Sequence, residues 1–193
     1  LVRLNDAKAD CQGRIWAGSM HNDDASLQRG RLARMQPSGA FDVVESGIYI
    51  ANGPAIAHDG SWMLHTDSFL ETVYRYDLSP EGTLSNKTVW NTFGGEQGSP
   101  DGMTLDRDGN VWVAFWGGAC IRQFTPAGAL LRTIPLPAPQ ITSMAFGGPN
   151  LDVLLVTSAR IGLDAATLER YPLAGSIFVL EPGVQGVLPC TFG

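Results

Sequence analysis

The sequence predicts an all-β fold of the β-propeller kind, and three observations support that reading. The 193 residues include 23 glycines and 12 prolines spread along the whole chain, which favours many short strands over long helices. A polar residue opens a strand–turn–strand pattern that recurs at intervals of 47, 49 and 42 residues. Between the copies lie segments of period-two alternation that end in Pro/Gly turns, the pattern of half-buried strands.

The elements follow in chain order. The first copy, NDAKADCQGRIWAGSM from Asn5, is followed by the alternating segment GRLARMQPSGAFDVV from Gly30. The second, NGPAIAHDGSWMLHTDS from Asn52, is followed by TVYRYDLSPEGTLS from Thr72. The third, DGMTLDRDGNVWVAFW from Asp101, is followed by CIRQFTPAGALLRTI from Cys120. A looser fourth, SMAFGGPNLDVLLVTSAR from Ser143, carries an insertion at its turn and leads to SIFVLEPGVQGVLP from Ser176. Within the first three copies Gly13, Gly60 and Gly109 hold one turn position, and Trp16, Met63 and Trp112 hold one strand position. Hairpin repeats of this length are propeller blades, whereas solenoids of similar period are helical. Residues 1–193 are expected to form a single propeller domain of about four blades, opening in mid-blade as a piece of a larger ring.

Composition excludes several classes of function. A net charge of −6 argues against a nucleic-acid surface, which needs clustered Lys and Arg. No apolar run approaches the length of a membrane helix, and a soluble, cytoplasmic protein is expected, as a monomer or weak oligomer. Cys11, Cys120 and Cys190 are odd in number, far apart and without CxxC spacing; they are expected to be small buried thiols rather than a disulfide framework. The chain starts on Leu1 and directly on a motif, so further N-terminal residues are expected, together with any targeting signal.

The first strand of each blade lines the channel of a propeller, so the residues that open the repeats converge there. Asn5, Asn52 and Asp101 occupy that place in successive repeats, and their amide and carboxylate oxygens suit a hard divalent cation. Asp106, Asp108 and Asn110 imitate an EF-hand, but the glycine stands at the fourth position and Gly117 at the twelfth, where a Glu is needed. Asp108-Gly109 is better read as a hairpin turn, with Asp106 as its support. His21, His58 and His65 lack ligand spacing and are read as structural or solvated, and Trp16, Trp112 and Trp116 as packing between blades. No GxSxG motif appears, which sets aside an acyl-enzyme hydrolase.

At these motifs the chain resembles the gluconolactonase/regucalcin (senescence marker protein) family of six-bladed propellers. The resemblance rests on RLNDAKADCQGRIWAGSM (Arg3–Met20), IANG (Ile50–Gly53), HTDS (His65–Ser68), SPDGMTLDRDGNVWVA (Ser99–Ala114) and TSMAFGG followed by LLVTSAR (Thr142–Arg160). It implies a six-bladed ring of which this chain is the C-terminal two-thirds. It also implies a hydrolase that opens a sugar lactone with one divalent metal ion, Ca²⁺ or Zn²⁺ first and Mn²⁺ or Mg²⁺ as alternatives. Asn52 and Asp101 would be metal ligands, Asp101 also the general base, and Arg3 and Asn5 substrate contacts, with Asp23 as a further acidic contact. Asn5 is thereby moved from metal to substrate. The family's remaining ligand, a Glu near the N-terminus, falls in a blade that this chain does not contain, and Pro54 replaces a larger apolar residue. Two other functions fit the same channel: a non-catalytic calcium-binding regulatory propeller, and a related propeller esterase or organophosphatase.

Overall fold

The computed structural model describes residues 1–193, the side chain of Glu96 excepted. The chain forms two compact units, residues 1–92 with 188–193, and residues 93–187. In the first unit β1 (Val2–Ala9), β2 (Ile15–His21), β3 (Gly30–Met35) and β4 (Phe41–Ile48) form one antiparallel sheet in chain order. A second sheet repeats it with β5 (Ala51–Ile56), β6 (Trp62–Asp67), β7 (Thr72–Leu78) and β8 (Leu84–Thr92). In the second unit β9 (Ser99–Leu105), β10 (Val111–Trp116), β11 (Cys120–Phe124) and β12 (Leu130–Pro135) follow the same path. There β13 (Gln140–Gly147), β14 (Val153–Ala159) and β15 (Ile177–Leu180) make a three-stranded repeat, joined to the sheet before it through the Trp116–Gln140 pair. A six-residue helix, α1 (Ala165–Arg170), interrupts the last repeat and is capped by the Asp164 carboxylate on the Thr167 amide. The architecture is that of β-propeller blades, in the places where the repeats predict them.

Each unit has its own core, built where consecutive sheets face each other. Trp16, Leu32, Ile48, Ala51, Met63, Tyr76 and Leu78 pack together in the first. Trp112, Ile121, Ile141, Met144, Leu154 and Val156 do so in the second. Trp16 and Trp112 are thus packing residues, as their strand positions predict, whereas Trp116 is only half-buried. The buried indoles are held by carboxylates. Asp10 accepts from the Gln12 and Arg14 amides, from Arg14 Nε at 2.7 Å and from Trp16 Nε1 at 2.8 Å. Asp106 accepts from the Asp108 and Asn110 amides, Trp112 Nε1 at 3.0 Å and Gln123 Nε2 at 2.6 Å. The EF-hand pattern is therefore absent: Asp106 is wholly buried as a turn anchor, and Asp108 turns the β9–β10 hairpin.

The cysteine expectation holds for Cys120, which is free and buried, and fails for the other two. Cys11 and Cys190 form a disulfide across 179 residues of sequence. The cause is the return of residues 188–193 to the first unit, where the Gly193 amide bonds the Gly13 carbonyl. Local spacing carries no trace of so distant a pairing. Among the described residues no helix is long and apolar enough to cross a membrane.

Candidate active site

The residues that open the repeats share a backbone feature that the sequence does not reveal. In each repeat the register of the first strand against the second shifts at or beside the opening polar residue. The shift falls between Leu4 and Ala7 in β1, between Asn52 and Ala55 in β5, opposite Val113–Phe115 in β9 and between Ile141 and Ser143 in β13. Asn5 and Asp6 occupy the first bulge, Asn52 borders the second, and Asp101 lies in the third with Gly102. A bulge bends the strand and re-aims one side chain out of the alternating pattern, so each opening residue is presented by the same device.

In the first unit this brings β1 beside β5. Asn5 Nδ2 donates to the Ala51 carbonyl at 3.0 Å and to Asn52 Oδ1 at 2.6 Å. Asn52 Nδ2 donates onward to Ser68 Oγ at 2.8 Å, and Arg3 Nη1 donates to Asn5 Oδ1 at 2.9 Å. Arg3, Asn5, Asn52 and Ser68 thus form one directed chain of hydrogen bonds, which fixes the orientation of both amides. Arg3 Nη2 also lies 3.0 Å from Met20 Sδ, in the strand register that pairs Arg3 with Met20. The network needs close strands. A Cβ on Gly18 would stand 2.7 Å from Ala51 Cβ and 2.8 Å from its carbonyl oxygen, so only glycine lets β2 approach β5 here.

Asp67, from the HTDS stretch, supports the same edge. Its carboxylate accepts from the amides of Tyr49, Ile50 and Phe69, which holds the chain just ahead of Asn52. Asp23 lies in the exposed bend after β2 and accepts from Asn22 Nδ2 at 2.6 Å; it takes no part in the Arg3–Ser68 network. Asp101 belongs to the second unit, half-buried in its bulge. Gly102 beside it faces Ser143 and Thr142 of β13 closely enough to exclude any side chain.

Two charged residues in β1 were given no role by their motif. Burial pushes the Asp6 carboxyl above its ordinary range, against the pull of the Ala7 and Gly53 amides and of Lys8. Burial pushes the Lys8 ammonium down, against the attraction of Asp6. Asp6 thereby ties the Asn5 bulge to the residue that follows Asn52. The signal is two polar residues inside one strand, but Gly53, the partner of Asp6, lies 47 positions further along the chain. His65, on β6, is also buried.

Among the described residues no three His, Cys, Asp or Glu side chains converge as a metal cluster. Asn52 belongs to the first unit and Asp101 to the second. Asn52 Oδ1 is buried, pinned by Asn5, and retains a second lone pair; Asp101 supplies a carboxylate. These are hard donors of the kind a divalent cation with oxygen preference takes.

Residues 1–160 match the model of the SMP-30/Gluconolactonase/LRE-like region. The chain is 36% identical over 190 residues to pentonolactonase XacC of Haloferax volcanii, covering 96% of this chain and 64% of that protein. It is 35% identical over 196 residues to regucalcin of Danio rerio, covering 99% and 66%. A crystal structure described as a calcium-binding protein, regucalcin, from Agrobacterium tumefaciens superposes with a TM-score of 0.94 at 27% identity, covering all of this chain and 65% of that one. The chain thus spans about two thirds of the length of the relatives it matches.

Proposed function

The chain belongs to the SMP-30/gluconolactonase/LRE-like family, and from that premise we propose that it serves a metal-dependent lactonase that opens a sugar lactone to the aldonic acid. The observation that supports this most is the Arg3–Asn5–Asn52–Ser68 network, whose two central amides sit on neighbouring strands, Asn5 within one register shift and Asn52 beside the next. The substrate class is a five- or six-carbon sugar lactone, in keeping with a relative named pentonolactonase.

Asn52 and Asp101 are the proposed donors from this chain to the cation. When bound, a divalent ion of the Ca²⁺, Zn²⁺, Mn²⁺ or Mg²⁺ type supplies Lewis-acid polarisation of the lactone carbonyl. Asp101 takes the proton from the attacking water, a role within reach of an ordinary carboxylate when the electrophile is activated. Arg3 spends Nη1 on Asn5 Oδ1 and the Leu4 carbonyl and one Nη2 hydrogen on Met20 Sδ, and offers Nε–H and the second Nη2 hydrogen to the ring and hydroxyls. Asn5, held by Arg3 and Asn52, sets the position of that contact, and Asp23 accepts from a hydroxyl at the periphery.

The test is acid release from gluconolactone and from pentonolactones, followed by pH indicator with Ca²⁺, Zn²⁺ or Mn²⁺ present and after chelation. Turnover should require a cation, and Asp101→Asn should reduce kcat by about 100-fold or more. Failure with every lactone and every cation would overturn the proposal. A second reading, a calcium-binding regulatory propeller, is favoured by the likeness to a structure described as a calcium-binding protein. Calcium binding that is abolished by Asp101→Asn, without turnover of any lactone, would establish it instead.

A further inference from the structure

The first unit contains a cavity of about 300 Å³ that involves none of Arg3, Asn5, Asn52 or Asp23. Its polar lining comes from Gln28, Glu45, Ser46, His65, Asp67 and Lys87, with Tyr74 beside them. At its wall stands a buried group without a partner. His65 is 1% exposed, and its Nε2 has no hydrogen-bond partner in protein. A buried orphan nitrogen is costly and rarely left unmatched. Burial also holds the imidazole neutral, with its pKa lowered to about 4. Nε2 therefore presents either one N–H or one lone pair.

The charges around it are already matched. Lys87 Nζ pairs with Glu45 and sits 4.0 Å from the centre of the Tyr74 ring. The Glu45 carboxylate also accepts the Tyr76 hydroxyl. Asp67, at the same wall, is committed to three backbone amides. Tyr74 is the direct cross-strand neighbour of His65. The wall therefore offers both donors and acceptors, and its charged groups are already partnered. An anion would meet Glu45 and Asp67, and a cation would have to compete with Lys87.

From this we infer that the cavity is a second small-molecule site, which takes an uncharged polyhydroxylated molecule of monosaccharide size through His65, Glu45 and Lys87. A hydroxyl group satisfies either tautomer of the imidazole, donates to Glu45 and accepts from Lys87, which no purely donating or accepting group can do. The volume lies at the lower end of small-molecule pockets and leaves room for one sugar ring. The site is separate from the proposed reaction centre and does not depend on it.

Imidazole ¹⁵N spectra of the labelled protein, titrated with glucose, xylose, glycerol and sodium gluconate, test this directly. Glucose or xylose should move the His65 Nε2 signal saturably, while gluconate should not. Lys87→Met, a change on the partly exposed β8, should weaken the sugar about tenfold or more, and in His65→Phe, which has no imidazole signal, calorimetric titration should show no sugar binding. Asp101→Asn should leave the sugar titration unchanged, whatever it does to lactone turnover. The inference is overturned if no sugar moves the signal, if gluconate binds more tightly than the neutral sugars, if glycerol matches them, or if Asp101→Asn abolishes the effect.

Discussion

Single carboxylates organise the repeats. Asp10 and Asp106 stand at equivalent places, and each receives the indole N–H of the tryptophan six residues later. The second repeat has Ala57 in place of the aspartate and Met63 in place of the tryptophan, both buried. The pair is therefore kept or lost together, as expected when a buried indole N–H needs an acceptor. Asp106→Ala should cost about 3 kcal/mol or more of unfolding free energy, because it strands the buried Trp112 Nε1 and Gln123 Nε2 and removes the acceptor of two partly buried turn amides. Urea titration would measure it, and a loss under about 1 kcal/mol would show that water replaces the carboxylate. Asp106→Asn should recover part of the loss, since one acceptor oxygen remains. The three acidic residues in the third repeat thus differ in burial: Asp106 is a buried anchor, Asp108 an exposed turn residue, and Asp101, half-buried, the one proposed for chemistry.

At the scale of strands, much of the fold was legible and the site only in part. The spacing of Gly13, Gly60 and Gly109, with Trp16, Met63 and Trp112, located the hairpins, because turns and strand faces are local properties of a sequence. The bulges that re-aim Asn5 and Asp101 were not legible, since register is a relation between two strands. The same limit hid the Asp6–Gly53 tie and the Cys11–Cys190 bond. It also hid the close approach of β2 to β5 at Gly18, which is tested by adding one methyl group. In Gly18→Ala the new Cβ meets the Ala51 Cβ and carbonyl, neither of which can swing aside. The variant should lose about 1–3 kcal/mol of stability. If lactone turnover is present, it should fall further than in a surface variant, because β5 carries Asn52. An unchanged melting temperature would mean that the two strands are free to separate.

For the molecule as a whole, proton linkage ties the orphan imidazole to stability. His65 is neutral when folded, with its pKa lowered to about 4, whereas the unfolded chain protonates histidine near 6.5. As pH falls below about 6.5 the unfolded state takes up a proton that the folded state refuses, so stability declines until the folded pKa is reached. That interval corresponds to about 3 kcal/mol, and His65 is buried deeply enough that solvent does little to screen it. Asp59 and Asp164, each held below its ordinary range by side-chain and backbone hydrogen bonds, act in the same direction but at lower pH. Their contribution is present above the unfolded carboxylate value and is lost as pH falls through the folded one. Asp6 acts in the opposite sense, because its raised pKa makes protonation favourable in the folded state and eases acid stress below the ordinary carboxylate range. Chemical denaturation at a series of pH values should therefore show most of the loss between about 6.5 and 4. Replacing the imidazole in His65→Phe should flatten that part of the curve while leaving the carboxylate-dependent fall beneath it. A slope unchanged in the variant would assign the acid sensitivity to other groups and would mean that His65 is protonated inside the folded protein.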